Sequence, residues 1–304
     1  MGAVVMNAAA ILHPLAALLL APLLPGVINR VKARMAGREG PPLLQLYYDL
    51  WKLLRKGAVY SRTTTWVFRA GPRLNFVCLL VALLILPLGR VPAAVSFAGD
   101  LVLLAYLLGL ARFATVAAAL DTGSSFEGMG ASREVQFALF TEPALLIGMA
   151  ALAHASGDLS LTGIYADWPA ALMPAMALLG SGFFILFLAE NCRIPVDDPA
   201  THLELTMIHE VMVLDHGNVD YAFILWGSAL KLWVVGALLV GLFPAAATGC
   251  PLLDLAVGFL WLVVLAILTG LVESVMARVR LLRVPQLLVG AGVLSTLGLL
   301  LTFW

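Results

Sequence analysis

Eight apolar runs, each near the roughly 20 residues that a helix needs to cross a bilayer core, constrain what this 304-residue chain can fold into. They cover approximately residues 4–28, 74–96, 100–120, 135–155, 170–190, 221–243, 252–273 and 285–303. Hydrocarbon offers no partner to backbone N–H and C=O groups, so runs of this length and polarity satisfy themselves as helices. The expected fold is an all-α integral membrane protein with eight transmembrane helices, forming one polytopic domain over residues 1–304. A composition of 62% hydrophobic and 12% charged residues, with mean hydropathy +1.00, excludes a soluble domain of ordinary type. The first run lacks a basic n-region and continues through Pro22 and Pro25, which predicts a retained span rather than a cleaved signal. Prolines 14, 22, 143 and 174 mark expected kinks.

The zero formal net charge gives no general attraction to nucleic acid. Its distribution is more informative. The loop at 29–73 holds ten of the eighteen Lys and Arg residues, and further Arg residues fall in loops at approximately 121–134, 191–220 and 274–284. The alternate loops hold Arg90 at most. The positive-inside rule then predicts that the basic loops are cytoplasmic and that both termini lie on the non-cytoplasmic side of the inner membrane. Cys78, Cys192 and Cys250 are widely separated and form no CxxC pair, which argues against a disulfide framework, a structural zinc or a cofactor resident in this chain.

The basic loops carry their own patterns. Leu43, Leu46, Tyr47, Leu50, Trp51 and Leu54 recur at helical spacing among Gln45, Asp49, Lys52 and Arg55, which predicts an amphipathic helix lying at the lipid surface. The segment 121–134 is rich in Gly and Ser and is read as a loop that approaches another chain, with Ser132 capping the following span. In the segment 191–220 a helix is expected to start after Asp198-Pro199. His202, His209 and His216 succeed one another at spacings of seven. Seven residues of helix rise about 10.5 Å, too far for one metal ion whose ligands lie about 2 Å away. The imidazoles, with Glu204, Glu210 and Asp215, instead suit proton relay near neutral pH or contact with a partner.

Charges inside the runs are the strongest functional signal. An ionisable side chain in hydrocarbon costs roughly 3–15 kcal/mol and normally faces a protein interior or a hydrated path. Arg112, Glu142, Glu190, Lys231 and Glu273 form this set. Lys231 can neutralise Glu142 or Glu190; Glu190 and Glu273, at span ends, can reach water. Glu142, about two turns into its span, is expected to be buried there. Asp100 and Asp254 read as helix-terminal residues.

Three segments carry a family resemblance: Arg34 through Lys52, with Arg38-Glu-Gly-Pro-Pro and Asp49; Leu120-Asp-Thr-Gly-Ser-Ser through Gly130-Ala-Ser-Arg-Glu to Glu142-Pro; and Ala189-Glu through Arg193-Ile-Pro-Val-Asp to Glu204-Leu. Together they resemble the H-subunit family of respiratory complex I, and more closely its relatives in membrane-bound group 4 hydrogenases such as formate hydrogenlyase and hydrogenase-4. Val196 stands where the family has Phe, and Ala200-Thr-His where it has an acid-Ala-acid run, which places the chain in a hydrogenase-side branch. The resemblance implies a non-catalytic membrane subunit that seats a soluble electron-transfer arm and couples redox chemistry to proton or sodium movement. Its acidic path would include Glu142, Glu190, Asp197 and Glu204, with Arg112, Lys231 and Glu273 as the other charges in the spans. Arg34, Arg38, Asp49, Arg133 and Glu134 would form the docking surface.

The implied partners are hydrogenase-like large and small subunits, ferredoxin-like iron–sulfur subunits and antiporter-like membrane subunits. Iron–sulfur clusters, and in a hydrogenase a nickel–iron centre, would sit in those partners. Alternative readings are a quinone-site subunit of a complex I-like oxidoreductase, a structural anchor without an ion path, and a free-standing antiporter.

Overall fold

Apolar length translates directly into helix in the computed structural model, which describes residues 2–166, 172–197, 207–243 and 248–303, with side chains from residue 8 onward. The helices are α1 (Gly2–Leu20), α2 (Leu23–Met35), α3 (Gln45–Leu54), α4 (Trp66–Ile85), α5 (Asp100–Asp121), α6 (Ser125–Ser156), α7 (Leu161–Ile164), α8 (Met173–Glu190), α9 (Asn218–Val240), α10 (Pro251–Val275) and α11 (Val284–Leu301). Seven of the helical segments are long and apolar enough to span a membrane, and α1 with α2 supplies an eighth as a broken span bent by 48°. The break has a local cause. Pro25 has no N–H, and its ring conflicts with the carbonyl four residues earlier, so the ladder cannot run unbroken past Ala21 and Pro22.

Several boundaries differ from the sequence reading: α2 runs to Met35 rather than 28, α4 ends at Ile85 rather than near 96, and two starts differ for physical reasons. The second span begins at Trp66 rather than near 74, because Arg69 and Arg73 lower hydropathy without interrupting helix geometry. Its start is fixed by caps: Thr65 Oγ1 accepts from Val67 N at 3.2 Å, and the Asp121 carboxylate accepts from the backbone N–H groups of Thr65 and Phe68. The fourth span begins at Ser125, so most of the expected 121–134 loop is helical and Ser132 caps nothing. Tertiary contact overrides the low helix propensity of its glycines. A Cβ on Gly130 would lie 2.4 Å from Val211 Cγ1 and 2.8 Å from the Ile208 carbonyl, so the small residue admits this chain's own 207–213 segment rather than another chain.

The amphipathic α3 forms as expected. Leu50 is buried, Tyr48, Trp51 and Leu54 point outward, and α3 packs on α9. The helix expected after Asp198-Pro199 falls largely outside the described residues, as do His202 and Glu204. A short 3-10 turn, Glu210–Val213, leads on toward α9.

Helix α9 is the axis of the bundle, packed by α4, α3, α10 and α8, and Trp233 at its centre is fully buried. Around it α4 lies along α5, α11 along α6 and α8, and α10 along α2. Asp100 and Asp254 are helix-terminal, as expected: Asp100 accepts from Leu161 N at 2.7 Å and Asp254 from Thr248 N at 3.0 Å. The ends of α2, α5, α8 and α10 and the starts of α4, α6, α9 and α11 share one face, together with α3 and the basic loops. The candidate site lies just beneath this face.

Candidate functional site

Arg112 sits nine residues before the end of α5, about 14 Å down the helix axis. At that depth its guanidinium meets three carboxylates. Nε donates to Glu134 Oε1 at 3.0 Å, and the two terminal nitrogens contact Glu142 Oε1 and Glu190 Oε1. A planar fork with five donors can serve three acceptors at once, which a lysine ammonium does less well. Helix α6 supplies Glu134 and Glu142, α8 ends in Glu190, and α9 supplies Lys231, whose Nζ lies 2.8 Å from Glu190 Oε2. The sequence leaves Lys231 with two candidate partners; the structure pairs it with Glu190.

A second charged group lies closer to the basic face. Glu273, near the end of α10, holds Lys32 at 2.8 Å and Arg193 at 3.5 Å, and Asp197 holds Arg278 at 3.0 Å. Val279 N donates to the Pro195 carbonyl at 2.9 Å, tying the loop after α10 to the loop after α8. Glu273 was expected to reach water, yet its side chain is 0% exposed. The bend between α1 and α2 points α2 along α10, and Lys32 covers the carboxylate.

Between the two groups stands His209. Its Nε2 lies 3.1 Å from Glu134 Oε2, its Nδ1 3.7 Å from Asp197 Oδ2, and its backbone N–H donates to Asp197 Oδ2 at 3.3 Å. Burial opposes the charged imidazole, but Cys192, Glu134 and Asp197 outweigh it and hold the ring well above its ordinary range. The ionic contacts thus run from Arg278 through Asp197, His209, Glu134 and Arg112 to Glu190 and Lys231, beside a second set in which Glu273 holds Lys32 and Arg193.

A cavity of about 230 Å³ adjoins this chain of charges. Arg112, Glu134, Glu190, Lys231 and His209 form its polar end, while Pro25, Pro72, Leu79 and Leu225 make part of its apolar wall.

Glu142 departs from expectation. Its side chain is 50% exposed at the outer surface of the bundle, where Arg112 holds it on its inner side. Pro143 comes next within α6, and Thr141, one residue earlier, takes the inward-facing position instead. Glu134, expected on the docking surface, turns inward and is buried. Arg133 donates to the Met207 carbonyl at 2.7 Å, within its own chain. Arg34 and Arg38 are exposed on the basic face, and Asp49 accepts from Gln45 Nε2 at 3.0 Å. Lys32, Arg193 and Arg278 join the site as counter-ions that sequence reasoning uses for topology alone, and His209 as a link to which it assigns no fixed role. None has a distinctive local signal, since they are selected by the proximity of helices distant in sequence.

His216 behaves differently from His209. It stacks on Phe68 with centroids 3.9 Å apart, and burial pushes its imidazole down to about 4. A depressed folded value means the unfolded chain binds the proton first as pH falls, so the contribution of His216 is fully present above about 6.5 and is lost on acidification toward about 4. The protection factors of the amides over 207–217 are expected to fall through that window, and less so in His216→Phe. An unchanged profile in the variant would count against this origin.

Comparisons with known proteins agree with this architecture. The family model described as NADH dehydrogenase matches residues 7–303. Hydrogenase-4 component C of Escherichia coli is 32% identical over 275 residues, covering 87% of this chain and 86% of that protein. Formate hydrogenlyase subunit 4 of the same organism is 33% identical over 277 residues, covering 88% and 89%. The H subunit of NADH-quinone oxidoreductase from Anaplasma phagocytophilum is 27% identical over 242 residues, covering 71% and 69%. Among solved structures, a chain of the membrane-bound sulfane sulfur reductase, an archaeal respiratory membrane complex, superposes with TM-score 0.85 at 20% identity, covering 98% of this chain and 99% of that one. That last likeness concerns the fold.

Proposed function

The chain belongs to the NADH dehydrogenase family, and from that premise we propose that it is the non-catalytic membrane subunit of a group 4 hydrogenase-type complex, coupling electron transfer in partner subunits to proton or sodium movement. The observation that carries the reading is the row of charged side chains leading from the basic face to Glu190, Lys231 and Glu142. Ion pairs that serve stability alone do not need this extent, because burying charges costs several kcal/mol each before pairing returns any of it.

In this reading the basic face is cytoplasmic, by the excess of Lys and Arg in its loops, and seats the iron–sulfur-bearing arm with its hydrogenase-like subunits. Arg34 and Arg38 are exposed there and available to such a partner. Glu142, half-exposed at membrane depth, would be costly against lipid and suits contact with an adjacent antiporter-like membrane subunit. The nickel–iron centre and the iron–sulfur clusters are assigned to the partners; this chain would hold charge and pass it on.

The cavity favours a second reading. Its apolar wall and polar end have the character of a small-molecule site, which suits a quinone-site subunit of a complex I-like oxidoreductase. One preparation tests both. The complex isolated in mild detergent through a tag on this chain, then placed in vesicles, is expected to contain antiporter-like subunits, nickel and iron, and to build an ion gradient when electrons are supplied. Iron without nickel, with reduction of added quinone, would favour the second reading. Recovery of the intact complex with no redox-driven ion uptake would leave only an anchor.

A further inference from the structure

We propose that His209 passes protons between the loop carboxylate Asp197 and the membrane carboxylate Glu134. The inference rests on the coupling reading above and identifies the group that joins its two halves. Each ring nitrogen faces a different carboxylate, Nε2 to Glu134 Oε2 at 3.1 Å and Nδ1 to Asp197 Oδ2 at 3.7 Å. Nδ1 is buried and, among the described residues, makes no hydrogen bond. A movement of about half an ångström would bring it into range of Asp197.

The remaining oxygens explain the arrangement. Glu134 gives Oε1 to Arg112 and Asp197 gives Oδ1 to Arg278, so each carboxylate meets an arginine on one oxygen and the His209 ring on the other. Arginine holds its proton throughout the physiological range, so these anchors orient without exchanging. Imidazole has two nitrogens on opposite sides of the ring, each able to hold or release a proton, which suits the link between them. The other groups around it are Cys192, which lies near the ring, and Glu190 and Lys231, which lie behind Glu134 through Arg112.

The step balances without a co-reactant. Starting from the imidazolium that faces both carboxylates, the ring gives its Nε2 proton to the Glu134 carboxylate and is left as the Nδ1–H tautomer. Exchange with water entering from the cavity, which takes the Nδ1 proton and returns one to Nε2, gives the Nε2–H tautomer. Asp197 in its acid form then gives a proton to Nδ1 and restores the imidazolium, so that one O–H bond breaks at Asp197 and one forms at Glu134.

The test uses the whole complex in inverted vesicles, reading ions taken up per electron transferred. His209→Gln keeps hydrogen-bonding capacity without charge exchange, and His209→Lys keeps a cation without the second nitrogen. Both are expected to lower the ratio roughly a hundredfold, the low end of the effect of a positioned proton-transfer group. Asp197→Asn, which leaves the ring in place, is expected to do the same. His209→Ala should regain uptake when imidazole is added, with a pH profile that follows the added base.

Wild-type uptake in His209→Lys would show that a fixed cation suffices and would overturn the relay. Wild-type uptake in Asp197→Asn would overturn it even if every His209 variant failed to assemble. Loss of uptake in Glu190→Gln with retention in His209→Gln would remove the relay and leave the coupling reading standing. Retention in both would remove the coupling reading itself.

Discussion

Replacing Arg112 by methionine is expected to lower the stability of the assembled chain by about 3–5 kcal/mol, the usual loss when one member of a buried ionic group is removed and its partners remain. The substitution leaves Glu134 and Glu190 buried, with Glu142 beside them, and removes the side chain that joins α5 to α6 and α8. Lys231 keeps its ion pair with Glu190. Arg112→Lys is expected to fall between the two, because a single ammonium cannot reproduce three directed contacts. Neutralising the acids as well, in Arg112→Met with Glu134→Gln and Glu190→Gln, should recover part of the loss, since the damage lies in the uncompensated carboxylates. Denaturant titration of the detergent-solubilised complex reads this series, and the coupling among the sites appears as departure from additivity. A single variant as stable as the parent would show that water reaches the group and that its burial has been overstated.

Glu190→Gln is expected to reduce the ions moved per electron roughly a hundredfold. Glu190 is 8% exposed and lies between two cations, one oxygen on Arg112 and the other on Lys231. It connects α8 to both α5 and α9. The amide preserves shape and some hydrogen bonding, but it cannot alternate between charged and neutral forms. It also leaves Lys231 facing Arg112 without the anion between them. A structural contribution can be separated from a functional one by adding Lys231→Met to Glu190→Gln. The double variant should recover assembly, because the uncompensated cation is gone, and should not recover uptake. If it recovered both, Glu190 would be a structural counter-ion, and the ion path would have to run elsewhere.

The candidate site was legible unevenly. Arg112, Glu190, Lys231 and Glu273 stand out because each interrupts an apolar run, and all four belong to the ionic groups observed. Glu142 stands out equally, yet its side chain faces outward, because a hydropathy window carries no reliable information about which side of a helix a residue occupies when the whole helix is apolar. Glu134 was assigned to a loop surface, since the Gly-rich stretch before it reads as irregular chain. The contact of Gly130 with Ile208 and Val211 makes that stretch helical and turns Glu134 inward. Lys32 was invisible as a site residue, because only the bend after Leu20 aligns α2 with α10.

The sequence by itself determined the helices, their order and the depth of most charges. These are local quantities: each residue's transfer free energy and each proline's missing N–H act within a turn or two, so α5, α9, α10 and α11 begin within three residues of where the apolar runs place them. Only the tertiary structure decided which charges meet. Arg112 finds Glu134 22 residues away and Glu190 78 away. Those contacts depend on how each helix is rotated about its axis and where it crosses its neighbours, and packing sets both through the whole set of side chains between helices.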